Sequence, residues 1–129
     1  MPTVPWTPVQ PTTEEVVVMA SRFRVRKLSH VLPFFVDAMR VYAQTRRSDG
    51  AVGVSLVARP LRREFATLSA WRDRAALQRM VRTEPHRSVM VRRRAVMAES
   101  VFRFWNTSGS EPPTWDEADV KLAGRTSSW

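Results

Sequence analysis

The chain has 129 residues, a net charge of +9 at pH 7 and no cysteine. This length suits one domain, the lack of cysteine excludes disulfides, thiolate-ligated haem and cysteine nucleophiles, and no apolar run reaches the roughly 18 residues of a membrane helix. The first residues, MPTVPWTPVQPTTEE, have neither the basic start nor the apolar core of a signal peptide, so a cytoplasmic protein that does not enter a membrane is expected.

A Pro-rich segment, residues 1–14, opens the chain and is expected to be a flexible arm. The stretch EVVVMASRFRV (15–25) is rich in Val and Phe and contains no Gly or Pro, so it predicts a strand. Residues 28–47 carry apolar side chains at helical spacing and predict a helix that ends before the turn at Asp49-Gly50.

Residues 51–60 and 63–71 predict the two strands of a hairpin, joined by a tight turn. Asp73 follows the hairpin and can cap a helix over residues 74–83.

Pro85 breaks this second helix, and a further helical turn is expected at residues 86–93. Residues 95–105, AVMAESVFRFW, predict the last strand. Residues 109–129 form a polar C-terminal extension, in which a short helix is expected at 115–123.

The order β-α-β-β-α-β predicts an α+β domain over residues 15–108 with the ferredoxin-like fold, in which two helices cover one face of a four-stranded antiparallel sheet. Strand 51–60 is apolar or small on both of its faces, which indicates burial on both sides. A second sheet from a second subunit would supply that cover, so a homodimer is expected.

The stretch FATLSAWRDRAALQRMV, followed by PHRSVM, resembles the dimeric α+β barrel superfamily of antibiotic-biosynthesis monooxygenases, and within it the spheroidene-monooxygenase-like branch. The resemblance covers about residues 15–106. It implies a small monooxygenase-like enzyme that acts on an aromatic or polycyclic substrate of the secondary-metabolite type, either without a cofactor or with haem. Haem degraders of this fold have an Asn on the first strand, whereas the one Asn here is Asn106, so haem degradation is not expected while haem binding stays open.

Two residues are candidates for catalysis. His86 could ligate haem iron or abstract a proton near neutral pH, and it could equally be a polar residue at a helix start. Trp71 could form part of the floor of a flat pocket, and it could equally be a core residue under the second helix. Candidate substrate-binding residues are Phe35, Tyr42, Ser69, Arg87 and Met90.

Nineteen of the 21 basic residues are Arg, which suits a ligand with acidic groups, although a coding bias explains the excess as well. Arg87 is the candidate for bidentate contact with a carboxylate, whereas the run Arg92-Arg93-Arg94 is expected to be solvated surface. A nucleic-acid partner is not expected, because the strands lack the aromatic-rich motif on which bases stack. A small aromatic or acidic molecule is the expected ligand.

Three functions remain open from the sequence: a monooxygenase, a polyketide cyclase or isomerase that uses His86 for proton transfer, and a non-catalytic dimeric module that binds haem or another ligand. No GxGxxG, P-loop, HExxH or GxSxG motif is present, so nucleotide-dependent, zinc-protease and serine-hydrolase chemistry is not expected.

Overall fold

Five strands pair into one antiparallel sheet in a computed structural model that describes residues 3–10, 12–83, 86–94 and 97–122. Within these residues the strands are β1 (Thr3–Pro8), β2 (Glu15–Val25), β3 (Ala51–Arg59), β4 (Glu64–Trp71) and β5 (Met97–Ser108). The α-helices are α1 (Val31–Arg46), α2 (Arg74–Arg82), α3 (His86–Arg93) and α4 (Trp115–Leu122), and short 3-10 helices occupy Leu28–His30 and Pro60–Arg62. None of the helices in this described part is both long and apolar enough to cross a membrane.

The strand order is β1-β3-β4-β2-β5. Its last four strands, with α1 between β2 and β3 and with α2 and α3 between β4 and β5, form the ferredoxin-like arrangement expected from the sequence. The predicted α+β fold is therefore confirmed, with β1 as an additional fifth strand. Asp73 caps α2 as expected, because its carboxylate accepts a hydrogen bond from the Ala76 backbone N–H at 2.8 Å.

Strand β1 lies in the segment that the sequence analysis assigned to a flexible arm. It pairs antiparallel with β3, with Val4 opposite Leu56, and the register shifts between Val4 and Thr7. Pro5 and Pro8 have no N–H to donate to a ladder, and an edge strand tolerates this because one side of it needs no partner. The proline content that suggested flexibility is thus compatible with a strand at the sheet edge.

The first face of the sheet is covered by α1, α2 and α3. Buried side chains of β2, β4 and β5 pack there against the helices, and Trp71 is fully buried among Ala76, Leu77 and Met80 of α2. Near the start of α1, Phe34 packs against Phe65 with ring centroids 4.7 Å apart. This face therefore holds much of the apolar core and positions the site.

The second face of the sheet is covered by α4 and by tryptophan side chains of the same chain. Ala118 and Leu122 of α4 are buried with Val52 of β3 and with alternate apolar residues of β2, β4 and β5, and three tryptophans pack against this cluster: Trp6, Trp105 and Trp115. Cover for this face of β3 thus comes from the same chain, so the burial of β3 on both sides does not by itself require the second sheet that the sequence analysis inferred. The homodimer itself stays a prediction.

Candidate functional site

A cavity of about 340 Å³ lies between the first face of the sheet and the three helices that cover it. Its walls are mostly apolar, and the apolar lining residues are Met19, Phe23, Phe34, Ala38, Val41, Val54, Leu56, Phe65, Met80, Val89, Met90, Met97 and Phe102. Its polar lining residues are Ser21, Tyr42, Thr45, Ser55, Thr67, Ser69, Arg94 and Ser100. An apolar cleft with a few convergent polar groups is typical of a small-molecule site.

Three hydroxyl groups lie together on the sheet that forms the cavity floor. Ser21 of β2 and Thr67 of β4 are directly opposite each other in the antiparallel register, and their hydroxyls are hydrogen-bonded to each other. Ser69 follows two residues after Thr67 on the same face of β4. Ser21 and Ser69 are both buried, so this hydroxyl row offers hydrogen bonds inside an otherwise apolar space.

The hydroxyl row was only partly found from the sequence, which named Ser69 as a candidate binding residue and did not name Ser21. The available signal was the alternation of β2, which places Ser21 between Met19 and Phe23 on the same face. A small polar residue at an inward position of an apolar strand is informative only once the facing strand is known to offer a partner.

Trp71 does not line the cavity. Its indole is fully buried under α2, and its Nε1–H donates a hydrogen bond to Ser69 Oγ at 2.9 Å. This arrangement corresponds to the core position that the sequence left open as an alternative. Trp71 can therefore act on a ligand only through Ser69, whose hydroxyl orientation it restricts.

Tyr42 of α1 lines the cavity, and its hydroxyl lies 2.6 Å from Thr7 Oγ1 of β1. The hydrogen bond ties the edge strand to the helix. Phe35 is half-buried and packs against Phe65 with ring centroids 6.5 Å apart, and it does not line the cavity. Its neighbour Phe34, which the sequence analysis did not single out as a site residue, lines the cavity instead.

Helix α3 forms the remaining wall. Met90 lines the cavity, while Arg87 is exposed and lines a shallower depression beside it. The side chain of His86 lies outside the part of the chain that the structure describes. The helical backbone places position 86 on the same face as Val89 and Met90, since residues three and four apart lie on one side of a helix.

Among the described lining residues, Arg94 is the one charged side chain, and none is His, Cys, Asp or Glu. Within that same described part no group of three such residues could hold a metal ion. A hydroxyl row can bind and orient a ligand oxygen, but it needs a separate proton acceptor. The lining that the structure describes therefore contains no carboxylate or imidazole that could accept the proton.

Whether the cavity could hold haem depends on the ligating groups among the side chains that line it. The described side chains there that can ligate haem iron are methionine thioethers and the Tyr42 phenol, which is already hydrogen-bonded to Thr7. Methionine ligation in cytochromes is paired with an imidazole, and none of the lining side chains that the structure describes provides one. The side chains that the structure describes in this lining do not form a haem site.

Neither a family model nor a curated protein matches this chain. Solved structures do match it. SnoaB, a cofactor-independent oxygenase from Streptomyces nogalater, is 20% identical over 70% of this chain and 91% of its own, with a TM-score of 0.59. PA3566 from Pseudomonas aeruginosa is 18% identical over 74% of this chain and 97% of its own, with a TM-score of 0.66. An antibiotic biosynthesis monooxygenase is 17% identical over 69% of this chain and 95% of its own, with a TM-score of 0.59. These likenesses concern the fold, and they confirm at that level the resemblance expected from the sequence.

Proposed function

We propose that this protein, which has the fold of the antibiotic-biosynthesis-monooxygenase-like proteins, is a small monooxygenase that oxidises an aromatic or polycyclic substrate without a cofactor. The observation that carries the proposal is the cavity of about 340 Å³, with apolar walls and a floor of buried hydroxyls. The walls suit flat rings, and the hydroxyls suit a phenol, enol or carbonyl oxygen on those rings. The similarity in fold to a cofactor-independent oxygenase supports the same class of reaction.

The reaction needs no external reductant if the substrate provides the electrons. One atom of dioxygen enters a ring carbon as a carbonyl oxygen, and the other leaves as water with two hydrogens taken from that carbon. Such a step begins with loss of a proton from the substrate, which turns it into an electron-rich anion. The enzyme must therefore bind the anion's oxygen, accept the proton and keep bulk water away.

Each proposed role follows from position. Ser69 and the Ser21–Thr67 pair would bind the substrate oxygen, and Trp71 is proposed as a positioning residue that orients the Ser69 hydroxyl. His86 would accept the proton, because its helix position faces the same way as Val89 and Met90, which line the cavity.

Two further roles are supporting ones. Tyr42 and Met90 would hold the rings from the helix side. Phe35 would contribute indirectly, by packing behind Phe65.

The direct test is oxygen uptake by the purified protein with a panel of bicyclic and tricyclic phenols that carry an acidic C–H group. We expect uptake of one dioxygen per substrate and its loss in His86→Gln. His30→Gln is the matched control, because His30 lies at the start of α1 and does not line the cavity, and it should keep full activity. Turnover that persists unchanged in His86→Gln would remove that residue from the mechanism.

A cyclase or isomerase would use the same hydroxyl row and the same base without consuming oxygen. An anaerobic reaction that gives a product of unchanged mass would establish that alternative over the oxygenase. Titration with haemin separates the haem-binding alternative: a saturable Soret shift that is lost in His86→Ala would support it. Ligand binding with no turnover under either atmosphere would indicate a binding module.

A further inference from the structure

Three arginines surround a shallow depression of about 370 Å³ beside the cavity. Arg82 ends α2, Arg87 lies in the first turn of α3 and Arg94 follows α3, and all three are exposed. Met90 and Arg94 line both the depression and the cavity. The depression therefore adjoins the cavity at these two residues and forms a mouth of concentrated positive charge.

None of these three arginines forms an ion pair with any residue that the structure describes. Other arginines of the described chain do form ion pairs with carboxylates: Arg24 with Glu99, and Arg59 with Glu64 at 2.8 Å. Glu84, which lies between α2 and α3 in the sequence, is outside the described residues. The positive charge at the mouth is thus not neutralised by the described part of the chain.

The end of α2 does not require the Arg82 guanidinium. A basic residue in the last turn of a helix often serves the exposed carbonyls there. Here Gln44 Nε2 donates to the carbonyls of Met80 and Thr83 at 3.0 and 3.1 Å, and the Thr83 hydroxyl donates to the carbonyl of Arg79 at 2.6 Å. Neutral side chains already supply these bonds, which leaves Arg82 available to a ligand.

We propose that Arg82, Arg87 and Arg94 form an anion site at the cavity mouth and that the natural ligand is an aromatic carboxylate. The rings enter the apolar cavity, and the carboxylate stays at the mouth, where Arg87 and Arg94 bind it and Arg82 adds to the positive potential. Guanidinium groups match carboxylate oxygens in paired geometry, which favours them for this recognition. The inference rests on the proposed function, because it assigns a substrate class to the same cavity.

The test compares a fluorescent hydroxynaphthoic acid with its methyl ester, which keeps the rings and the hydroxyl but removes the charge. We expect the acid to bind the native protein about tenfold more tightly than the ester, as charge-assisted hydrogen bonds to a carboxylate would give. Arg87→Gln and Arg94→Gln should each reduce this preference. Added salt should weaken binding of the acid and leave binding of the ester unchanged. Arg62→Gln is the control, because Arg62 is exposed in the 3-10 helix after β3 and lines neither the cavity nor the depression.

Equal affinities for acid and ester, or no binding of either one, would overturn the proposal. So would a preference for the acid that survives in the double variant Arg87→Gln, Arg94→Gln. Circular dichroism of each variant shows that the fold is kept. Oxygen uptake with the phenols that carry an acidic C–H group, recorded on the same protein samples, reports separately on the monooxygenase. Binding of hydroxynaphthoic acid through the arginines, with no oxygen uptake from any of those phenols, would leave the anion site standing and count against the oxygenase.

Discussion

Nε1 of Trp71 donates a hydrogen bond to Oγ of Ser69 at 2.9 Å, and both side chains are buried. The bond occupies one acceptor position of the Ser69 hydroxyl, which keeps its own hydrogen as a donor. Since Ser69 lines the cavity and Trp71 does not, the indole can influence a ligand by fixing the direction in which this hydroxyl donates.

We predict that Ser69→Ala and Trp71→Phe each destabilise the protein but are not additive. Ser69→Ala leaves a buried indole N–H without a partner, which costs about 1–3 kcal/mol, and Trp71→Phe removes that donor together with part of the ring packing. Because the double variant has no unpaired N–H, its loss should be smaller than the sum, with a coupling of about 1 kcal/mol in urea unfolding. Strict additivity would mean that the hydrogen bond adds no stability.

The same pair should affect how well the protein recognises a ligand oxygen. We expect Trp71→Phe to reduce the preference for naphthol over naphthalene, a difference that loss of packing alone would not change. Thr45→Val is the matched control: Thr45 also lines the cavity, but its hydroxyl donates to the Val41 carbonyl within α1. The Thr45→Val variant should keep the native preference for naphthol over naphthalene.

The fold followed from local sequence patterns wherever those patterns were unambiguous. The Val-rich stretch gave β2 at residues 15–25 as predicted, and Asp73 caps α2 as predicted. Strand β1 could not be found this way, because two prolines in six residues indicate a loop unless the segment is known to lie at a sheet edge. Similarly, the apolar character of both faces of β3 showed that each face is buried, but not that α4 and Trp6 would cover one of them.

The site was less predictable than the fold. Residue type suggested Trp71 and Phe35 as pocket residues because large aromatics are common in pockets, yet the same chemistry stabilises cores. Whether an aromatic side chain lines the cavity or packs in the core depends on where α1 and α2 lie on the sheet. Short-range periodicity in the sequence does not contain this information. Tyr42, Ser69 and Met90 do line the cavity, although their roles in binding stay predictions.

We predict that Gly53→Ala weakens the attachment of β1. The Trp6 indole lies directly against the Gly53 backbone, so a methyl group at this position would overlap the ring. The substitution should cost about 1–3 kcal/mol of unfolding free energy, as overpacking does in other cores. In a Trp6→Leu background the same change should cost much less, and an equal cost in both backgrounds would show that the indole is not the obstacle.

The homodimer expected from the sequence is testable by sedimentation equilibrium at micromolar concentration. We expect a dimer mass for the full chain. The same measurement on a Trp115→Ala, Leu122→Ala double variant tests whether the dimer forms through the face of the sheet that α4 covers. Both side chains pack α4 against the sheet, and Trp115 also donates a hydrogen bond to Ser55 Oγ at 3.0 Å. A dimer that is unchanged in this variant forms through another surface. A monomer for the native chain would contradict the prediction.

Partly filling the cavity should weaken ligand binding while the fold remains. Ala38 lines the cavity from α1, and Ala38→Met would place three further heavy atoms in a space of about 340 Å³. Because the space is open, we expect the unfolding free energy to change by less than about 1.5 kcal/mol, while the affinity for the hydroxynaphthoic acid falls at least about tenfold. Val36→Met is the control, since Val36 lies on the same helix, is 51% exposed and does not line the cavity. Isothermal titration of both variants decides the matter: undiminished binding in Ala38→Met would place the ligand elsewhere.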